Sequence, residues 1–250
     1  MKYVKAKKHL GQHFLNDSKI ALRITNLLNS KTKNVLEVGP GMGALTQFLI
    51  KKKNNLKVIE LDKESISYLN LKYPNLKIYE GDILTLNLKK KFPFNFSLIG
   101  NFPYNISSQI LFKVFENKNL INEVVGMFQK EVAERIVARK GKKKGILSIF
   151  LQAYYNIEYC FTVDKNAFQP VPKVESAIIK LERNNRTTLK VDEKKFMQIV
   201  KSAYNQRRKT LNNALKGFTI INKKEITSLL TLRAEQLSVD DFINLTNHVE

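Results

Sequence analysis

The chain has 250 residues, 43% of them hydrophobic, which is enough to bury the core of one large domain or of a domain with an appendage. Its 43 Lys and Arg outnumber 22 Asp and Glu, and the net charge of +21 favours a polyanionic partner, although a lysine-rich coding bias would raise the charge as well. With one cysteine, three histidines and no long apolar run, the composition excludes an internal disulfide, argues against a Cys/His metal site and predicts a cytoplasmic protein that does not span a membrane.

A basic arm opens the chain and leads into an apolar pair. No acidic residue occurs before Asp17, and the arm carries Lys2, Lys5, Lys7 and Lys8. Such an arm is usually a solvated tail, but Phe14 and Leu15 need an apolar surface on which to pack. Asp17 or Ser18 can then cap a helix that is predicted to run to about Leu28.

A glycine-rich loop follows the first predicted strand. Residues 34–46 pass from a β-branched apolar run into Gly39, Gly41 and Gly43, and then into a helical pattern. In this geometry the missing side chains let a nucleotide approach the backbone and the helix N-terminus. The glycines alone are a weak signal, but the next strand ends at Glu60, 21 residues after Gly39, and a carboxylate at about this spacing accepts hydrogen bonds from ribose hydroxyls.

Four predicted strands end in small or polar residues. The third strand, at residues 76–79, leads to Gly81 and Asp82, and the fourth ends at Asn101. Parallel strands bring their carboxyl ends to one edge of a sheet, and open α/β sheets bind ligands at that edge. Ordinary turn residues would explain any one of these strand ends, whereas four of them predict a binding edge.

The stretch Asn101-Phe-Pro-Tyr104 ends the fourth strand abruptly. Pro103 cannot continue a β-ladder and biases Phe102 away from helix, which predicts a stiff bend around a small pocket. An exocyclic amine on a flat ring needs such groups, because the Asn101 oxygen and a carbonyl of the bend can accept its N–H bonds and Tyr104 can stack on the ring. The alternative is an ordinary turn beside a buried tyrosine.

The pattern beyond this stretch predicts a helix, a fifth strand at 123–128, and helices at 129–139 and 145–155. A compact basic loop between those two helices carries Arg139, Lys140, Lys142, Lys143 and Lys144. These cations suit a solvated surface and phosphate contacts equally well. Two further strands, at 158–163 and 174–181, are expected to pair antiparallel on either side of a proline-rich loop that contains Phe168.

A polar, unpatterned stretch at residues 184–188 predicts a domain boundary that divides the chain into 1–183 and 184–250. The second part is helical, with helices expected at 194–204, 207–215, 223–230 and 239–249. Arg207, Arg208 and Lys209 would then begin a helix, where the helix dipole disfavours cations. That local cost suggests a function such as binding RNA phosphates.

Several motifs together resemble those of class I S-adenosylmethionine methyltransferases that modify adenine N6. The cofactor and target motifs are Glu37-Val-Gly-Pro-Gly-Met-Gly43, Ile59-Glu-Leu-Asp62, Gly81-Asp82 and Asn101-Phe-Pro-Tyr104. The similarity is greatest to the small-subunit ribosomal RNA adenine dimethyltransferases of the KsgA type. It extends to residues 11–17, 129–135, 168–174 and 206–210, and so covers about residues 5–245. Phe102 departs from the leucine that is more usual at its position.

This resemblance implies an α/β fold: a Rossmann-like class I methyltransferase with a seven-stranded mixed sheet and a small C-terminal all-α domain that helps to hold ribosomal RNA. The implied cofactor is S-adenosylmethionine, bound by backbone groups of His13 and Leu15 and by Gly39, Gly41, Gly43, Glu60, Asp82 and Asn101. The implied catalytic residues are Asn101, Pro103, Tyr104 and Phe168, with the two rings on opposite sides of a flipped adenine. The RNA-binding residues would be Arg139, Lys140, Lys142, Lys143, Lys144, Arg207, Arg208 and Lys209.

The implied reaction is N6,N6-dimethylation of adjacent adenosines near the 3′ end of 16S ribosomal RNA, carried out by a monomer on an assembling small subunit. Three alternatives stay open: a large-subunit RNA methyltransferase of the antibiotic-resistance type, a nicotinamide dehydrogenase, and a non-catalytic RNA-binding assembly factor. The first shares the catalytic core, the second leaves Asn101-Phe-Pro-Tyr104 unexplained, and the third needs no methyl donor.

Overall fold

The structure, a computed structural model, describes residues 4–52 and 54–250. Lys2, which belongs to the predicted basic arm, lies outside the described residues. The chain forms two compact units: Met1–Ala133 with Ile157–Arg183, and Glu134–Asn156 with Asn184–Glu250. The first unit carries the sheet, and the second is mainly helical.

The described strands are β1 (Phe14–Leu15), β2 (Asn34–Val38), β3 (Asn55–Glu60), β4 (Lys77–Glu80), β5 (Phe96–Asn101), β6 (Ile121–Gln129), β7 (Tyr155–Val163), β8 (Phe168–Gln169) and β9 (Ser176–Arg183). The α-helices are α1 (Ser18–Thr25), α2 (Thr46–Leu49), α3 (Lys63–Lys72), α4 (Leu88–Lys91), α5 (Ser107–Glu116), α6 (Lys130–Val137), α7 (Ile146–Gln152), α8 (Glu193–Asn205), α9 (Leu211–Ala214), α10 (Thr227–Leu230) and α11 (Val239–Asn247). Short 3₁₀ helices occupy Lys8–Leu10, Lys165–Ala167 and Ala234–Gln236.

Seven strands form one mixed sheet in the order β4-β3-β2-β5-β6-β9-β7, which confirms the predicted seven-stranded sheet. The first five strands of this order pair in parallel, and β9 pairs antiparallel with β6. Val38 lies opposite Ile59, and Glu60 lies opposite Glu80, so the strands reach the same edge together. The two remaining strands, β1 and β8, form a separate antiparallel pair.

Local sequence explains how the strands lead to this edge. Strand β5 is apolar and buried up to Gly100, where an added Cβ would lie 2.5 Å from the Val38 carbonyl oxygen. Glycine therefore permits the close approach of β2 and β5. Helix α1 begins at Ser18 and is capped by Asp17, whose carboxylate accepts hydrogen bonds from the amides of Lys19 and Ile20. The helix ends at Thr25, three residues before the predicted end.

The second unit packs its helices around aromatic residues. Phe150 lies 6.2 Å from Phe196, and Tyr204 stacks on Phe242, measured between ring centroids. Residues 134–156 group with this unit, and the predicted division of the chain into 1–183 and 184–250 stays a prediction. Long-range packing, which the local sequence pattern does not contain, groups residues 134–156 with the helices of this unit.

One predicted helix in this unit is much shorter than expected. Arg207, Arg208 and Lys209 were predicted to begin a helix, but they form the turn that follows α8, and α9 begins only after Thr210. The three cations therefore lie just beyond a helix C-terminus, where the dipole favours positive charge. The predicted electrostatic cost is absent.

Among the described residues, no helix combines the length and the apolar character needed to cross a bilayer.

Candidate active site

A cavity of about 400 Å³ opens at the carboxyl edge of the sheet in the first unit. It is lined by the ends of β2, β3 and β5, by the glycine loop and by the N-terminal arm. All the predicted cofactor residues line it, namely His13, Leu15, Gly39, Gly41, Gly43, Glu60, Asp82 and Asn101. Pro103 and Tyr104 line the same cavity. The fold thus brings the predicted cofactor residues and the predicted target motif together.

The glycine loop has a left-handed backbone at each predicted glycine. Gly39, Gly41 and Gly43 have φ angles of 66°, 55° and 82°, which side chains disfavour. An added Cβ on Gly41 would lie 2.8 Å from the Phe14 ring. This glycine therefore also lets the arm lie against the loop.

Glu60 holds the glycine loop through its carboxylate. Its Oε2 atom accepts a hydrogen bond from the Gly41 amide at 3.0 Å, and its Oε1 atom accepts from the amides of Leu61 and Asp62 at 2.8 and 2.9 Å. Burial raises the pKa of Glu60, and these backbone hydrogen bonds offset part of that rise. Each carboxylate oxygen has more than one lone pair, so Glu60 can still accept from a ligand in the cavity.

Glu37 is a second buried carboxyl in the cavity wall, with 1% of its surface exposed. Burial raises its pKa to about 8, and the charge of Glu60 adds to the rise. A hydrogen bond from the Thr46 hydroxyl to Oε2, at 2.7 Å, acts in the opposite direction. Glu37 belongs to a predicted cofactor motif, but its role as a buried carboxyl was not predicted.

The N-terminal arm is fastened to the rim of the cavity by polar contacts. The Lys7 ammonium donates to Asp62 Oδ1 and lies 3.1 Å from Glu64, and the Gln12 side chain donates to Asp62 Oδ2 at 3.2 Å. Burial alone would raise the pKa of Asp62, but hydrogen bonds from Lys7, Gln12 and Ser65 lower it below its usual value. The arm is therefore a docked segment, and it continues into β1, which pairs with β8.

Asn101 has a defined amide orientation. Its Nδ2 atom donates a hydrogen bond to the His13 carbonyl oxygen at 2.8 Å. Because a carbonyl only accepts, the nitrogen must face His13 and the oxygen must face away. No described residue donates to the Asn101 oxygen, which leaves a hydrogen-bond acceptor in the cavity wall.

Tyr104 is held at its ring and at its hydroxyl. The ring stacks on the His13 imidazole, with centroids 5.4 Å apart and planes 26° apart. The hydroxyl shares a 2.5 Å hydrogen bond with the buried Ser176 hydroxyl. Burial raises the pKa of Tyr104. Neither the Ser176 contact nor the His13 stacking was predicted, since both partners are distant in sequence.

Phe168, which was predicted to face the flipped base opposite Tyr104, lies in the apolar core. It is 2% exposed, pairs with Leu15 between β8 and β1, and packs in the apolar core with residues such as Ile24 and Val163. The side chain does not line the cavity. An aromatic residue on a short paired strand gains more from burial than from exposure at a pocket mouth.

The remaining predicted site residues lie in the bend and at the end of β4. Asp82 Oδ1 accepts a hydrogen bond from the Leu84 amide at 2.8 Å, and no described residue donates to Asp82 Oδ2. The Pro103 carbonyl accepts from the Ile106 amide at 3.1 Å and retains a second lone pair. The cavity wall also contains Tyr68 and Lys72, which the sequence pattern does not predict as site residues.

The predicted RNA-binding cations all belong to the second unit. The exposed ones are Arg139, Lys140, Lys142, Lys143, Arg207, Arg208 and Lys209. Arg207 joins the two basic segments, because it donates to the Lys142 carbonyl and pairs with Glu235 at 2.8 Å. Lys143 pairs with Glu134.

Lys144 is the exception among these cations. It is 1% exposed, its ammonium donates to the Leu237 carbonyl at 2.5 Å, and burial lowers its pKa to about 8. The predicted phosphate contact at Lys144 is therefore wrong. Lys144 thus attaches the basic loop to Leu237, which belongs to the same unit. The local sequence pattern could not predict this contact, because Leu237 is 93 residues away.

Comparison with known proteins agrees with this geometry. The family model described as "Ribosomal RNA adenine dimethylase" matches residues 3–250. The chain belongs to this family. Ribosomal RNA adenine dimethylases are S-adenosylmethionine-dependent methyltransferases, so the chain is an enzyme of that class and uses that cofactor. The similarity first noted from short motifs thus extends over almost the whole length.

Two relatives and two solved structures illustrate the match. "Ribosomal RNA small subunit methyltransferase A" of Cytophaga hutchinsonii is 54% identical over 99% of this chain and 98% of its own length, and the protein of the same name from Flavobacterium johnsoniae is 50% identical over 100% and 98%. A dimethyladenosine transferase from Plasmodium falciparum has a TM-score of 0.79 at 27% identity, covering 93% of this chain and 96% of its own. The 23S rRNA methyltransferase ErmE shares the fold, with a TM-score of 0.74 at 22% identity over 94% and 99% of the two chains.

Proposed function

We propose that this ribosomal RNA adenine dimethylase methylates adjacent adenosines near the 3′ end of small-subunit ribosomal RNA at N6, twice each, on an assembling subunit in the cytoplasm. The names of these two relatives support a small-subunit RNA substrate. The observation that carries the chemical part of the proposal is the fixed orientation of Asn101, which presents an acceptor oxygen beside the Tyr104 ring in one cavity.

The residues of the cavity fit S-adenosylmethionine. Glu60 lies at the end of β3, where its carboxylate could accept from the ribose hydroxyls, and Asp82 Oδ2 is free to accept from the adenine amine. Gly39, Gly41 and Gly43 leave the loop without side chains, so that the cofactor can lie against the backbone. Backbone groups of His13 and Leu15 would close the arm over it. When bound, the cofactor supplies an electrophilic methyl group on a positively charged sulfur.

The target nitrogen needs activation because its lone pair is delocalised into the adenine ring. Asn101 Oδ1 and the Pro103 carbonyl would accept its two N–H bonds and favour a pyramidal nitrogen with its lone pair aimed at the methyl group. Fixed dipoles of this kind stabilise the charge that develops during transfer without having to reorganise. No strong base is required, since the proton can leave for solvent after the nitrogen has become positively charged.

Tyr104 would hold the flipped adenine by stacking. Extruding a base costs roughly a few kcal/mol, and stacking on one aromatic side chain returns about 1–3 kcal/mol. One face of the Tyr104 ring is covered by His13, so the base would use the other face. In the second unit, the seven exposed cations of the two basic segments would contact RNA phosphates, and the buried Lys144 would not.

Methyl incorporation tests the proposal. Labelled S-adenosylmethionine is supplied with immature small subunits that lack the modification, the RNA is digested, and the nucleosides are separated by mass. We expect N6,N6-dimethyladenosine in the small-subunit RNA. Transfer into large-subunit RNA alone would assign the enzyme to the resistance type, and RNA binding without transfer into either RNA would leave only an assembly factor; both results would overturn the proposal.

A further inference from the structure

His13 contacts three residues that are distant from it in sequence, namely Asn101, Tyr104 and Pro170. Its main-chain carbonyl accepts from Asn101 Nδ2 at 2.8 Å, and its ring stacks on Tyr104. Its Nδ1 atom lies 2.7 Å from the carbonyl oxygen of Pro170, in the loop that joins β8 to β9. One residue of the arm therefore meets the target motif and a distant loop.

The main chain and the side chain of His13 make different contacts, which mutation of the side chain can separate. The main-chain carbonyl determines which way the Asn101 amide points, whatever the side chain is. Because the Pro170 carbonyl only accepts, Nδ1 must carry a hydrogen and donate it. The side chain thus connects the Tyr104 ring to the loop at Pro170, and it forms no hydrogen bond with Asn101 Oδ1 among the described residues.

We propose that the His13 side chain is a positioning residue for the target base, which holds the Tyr104 ring so that its free face can stack on the flipped adenine. The inference rests on the proposed function. It does not depend on Phe168, whose side chain is 2% exposed and does not line the cavity. The base would extend a column that runs from His13 through Tyr104.

Both contacts of the imidazole restrict the Tyr104 ring, one directly and one through the orientation of the imidazole. The Tyr104 hydroxyl is fixed by Ser176, but a single hydrogen bond at the end of a phenol leaves rotation of the ring about its long axis free. A second ring stacked on one face restricts that rotation. The hydrogen bond to Pro170 in turn fixes the plane of the imidazole. A preorganised face loses less conformational freedom when the base arrives.

Two substitutions separate these contacts. His13→Phe keeps an aromatic ring for Tyr104 and removes the donor to Pro170, whereas His13→Asn keeps an N–H donor near the position of Nδ1 and removes the ring. His13→Ala removes both. His9→Ala is the matched control, because His9 is an exposed histidine of the same arm. All variants retain the carbonyl that orients Asn101.

We expect kcat to fall on the order of 10-fold in His13→Ala and about 3-fold in His13→Phe and in His13→Asn, because aromatic pairs contribute modestly. The KM for RNA should change less than about 2-fold, since phosphate contacts dominate RNA affinity. The Kd for S-adenosylhomocysteine and the unfolding temperature should match those of the wild-type enzyme. RNA with 2-aminopurine at a target position should show altered fluorescence in the complex with His13→Ala, because that signal depends on how the extruded base is stacked.

Wild-type kcat together with wild-type 2-aminopurine fluorescence in His13→Ala would overturn the inference. So would a loss of activity matched by an equal loss of cofactor affinity or of stability, because the side chain would then support only the fold of the arm. If the wild-type enzyme itself transferred no methyl group to small-subunit RNA, the proposed function would fail, and the failure would be visible before any variant was compared.

Discussion

Asn101 shows how one hydrogen bond can determine the chemistry of a residue. A free amide could present either its oxygen or its nitrogen to a ligand, with opposite consequences for an amine. The His13 carbonyl removes that choice, because it accepts from Nδ2 and leaves Oδ1 as the atom available in the cavity. The arm thus completes a site whose other residues lie at the ends of the strands.

Replacing Asn101 with alanine should lower the rate of methyl transfer on the order of 10²–10³-fold, as the loss of one preorganised polar contact typically does. The measurement is single-turnover transfer into immature small subunits. Asn70→Ala is a suitable control, because Asn70 is exposed on α3. A transfer rate in Asn101→Ala close to that of the wild-type enzyme would contradict the role assigned to the amide oxygen.

Glu37 should make the stability of the enzyme depend on pH. Burial raises its pKa from 4.5 to about 8, so between these values the folded chain binds a proton that the unfolded chain has released. Its contribution to the free energy of unfolding is therefore complete below about pH 4.5 and is lost as the pH rises towards about 8. Glu37→Gln keeps an acceptor for the Thr46 hydroxyl and cannot ionise.

Urea unfolding of the wild-type enzyme and of Glu37→Gln at about pH 5 and about pH 8 tests this expectation. The stability of the variant relative to the wild-type enzyme should increase over that interval, by at most about 4 kcal/mol. A difference that did not change with pH would show that the Glu37 carboxyl ionises normally in the folded chain. Comparing the two proteins removes the contribution of the other titrating groups.

The N-terminal arm is the element whose behaviour depends most on tertiary contacts. The charge of the arm alone predicts a solvated tail. In the structure, Lys7 and Gln12 attach the arm to Asp62, and its strand β1 pairs with β8. Because the arm supplies residues that line the cavity, its docking should affect cofactor binding. The apparent affinity for a ligand falls in proportion to the fraction of molecules in the competent conformation.

Lys7→Met should weaken the binding of S-adenosylhomocysteine on the order of 3- to 10-fold by releasing the arm part of the time. Calorimetric titration gives the Kd, and limited proteolysis within the first residues reports how often the arm opens. Lys8→Met serves as the control, because Lys8 is an exposed neighbour with the same charge. Equal Kd values for the two variants would mean that the contact between Lys7 and Asp62 does not affect the binding of S-adenosylhomocysteine in the cavity.

The elements that could be predicted from sequence are those determined by local pattern. The apolar strands and the glycines, acids and Asn101 at their ends specify the sheet and its binding edge, because strand direction fixes where the ends meet. Phe168 and Lys144 could not be placed, because each is buried by partners far along the chain. Arg207 was misplaced for a related reason: the α8 to α9 turn is set by packing that helix propensity does not encode.

On the scale of the whole molecule, a strongly basic chain contains a cavity lined by carboxyl groups. The chain carries a net +21, yet the cavity in the first unit contains the carboxyls of Glu37, Glu60 and Asp82. The predicted RNA-binding cations all lie in the second unit. A net charge of this sign favours long-range attraction of a polyanion such as RNA, whereas the cavity offers local acceptors that suit a cofactor with hydroxyl, amino and sulfonium groups.

The salt dependence of RNA binding should distinguish the exposed lysines of the basic loop from the buried one. Each phosphate contact adds about 0.7–0.9 to the slope of log K against log salt concentration, so the double variant Lys142→Ala/Lys143→Ala should lower that slope by about 1 to 2. Lys144→Ala should leave the slope unchanged, because its ammonium is bound to the Leu237 carbonyl. It should instead reduce the free energy of unfolding by about 1–3 kcal/mol, since a buried carbonyl loses its partner.

Fluorescence titrations with a small-subunit RNA fragment at several salt concentrations give the slopes, and urea unfolding gives the stabilities. The two variants serve as controls for each other, because both remove lysines from the same short loop. A reduced salt-dependence slope in Lys144→Ala, with an unchanged free energy of unfolding, would mean that Lys144 leaves its buried position and contacts RNA phosphates. A double variant with the wild-type slope would show instead that Arg208, Lys209 and the other exposed cations bind the phosphates without the loop.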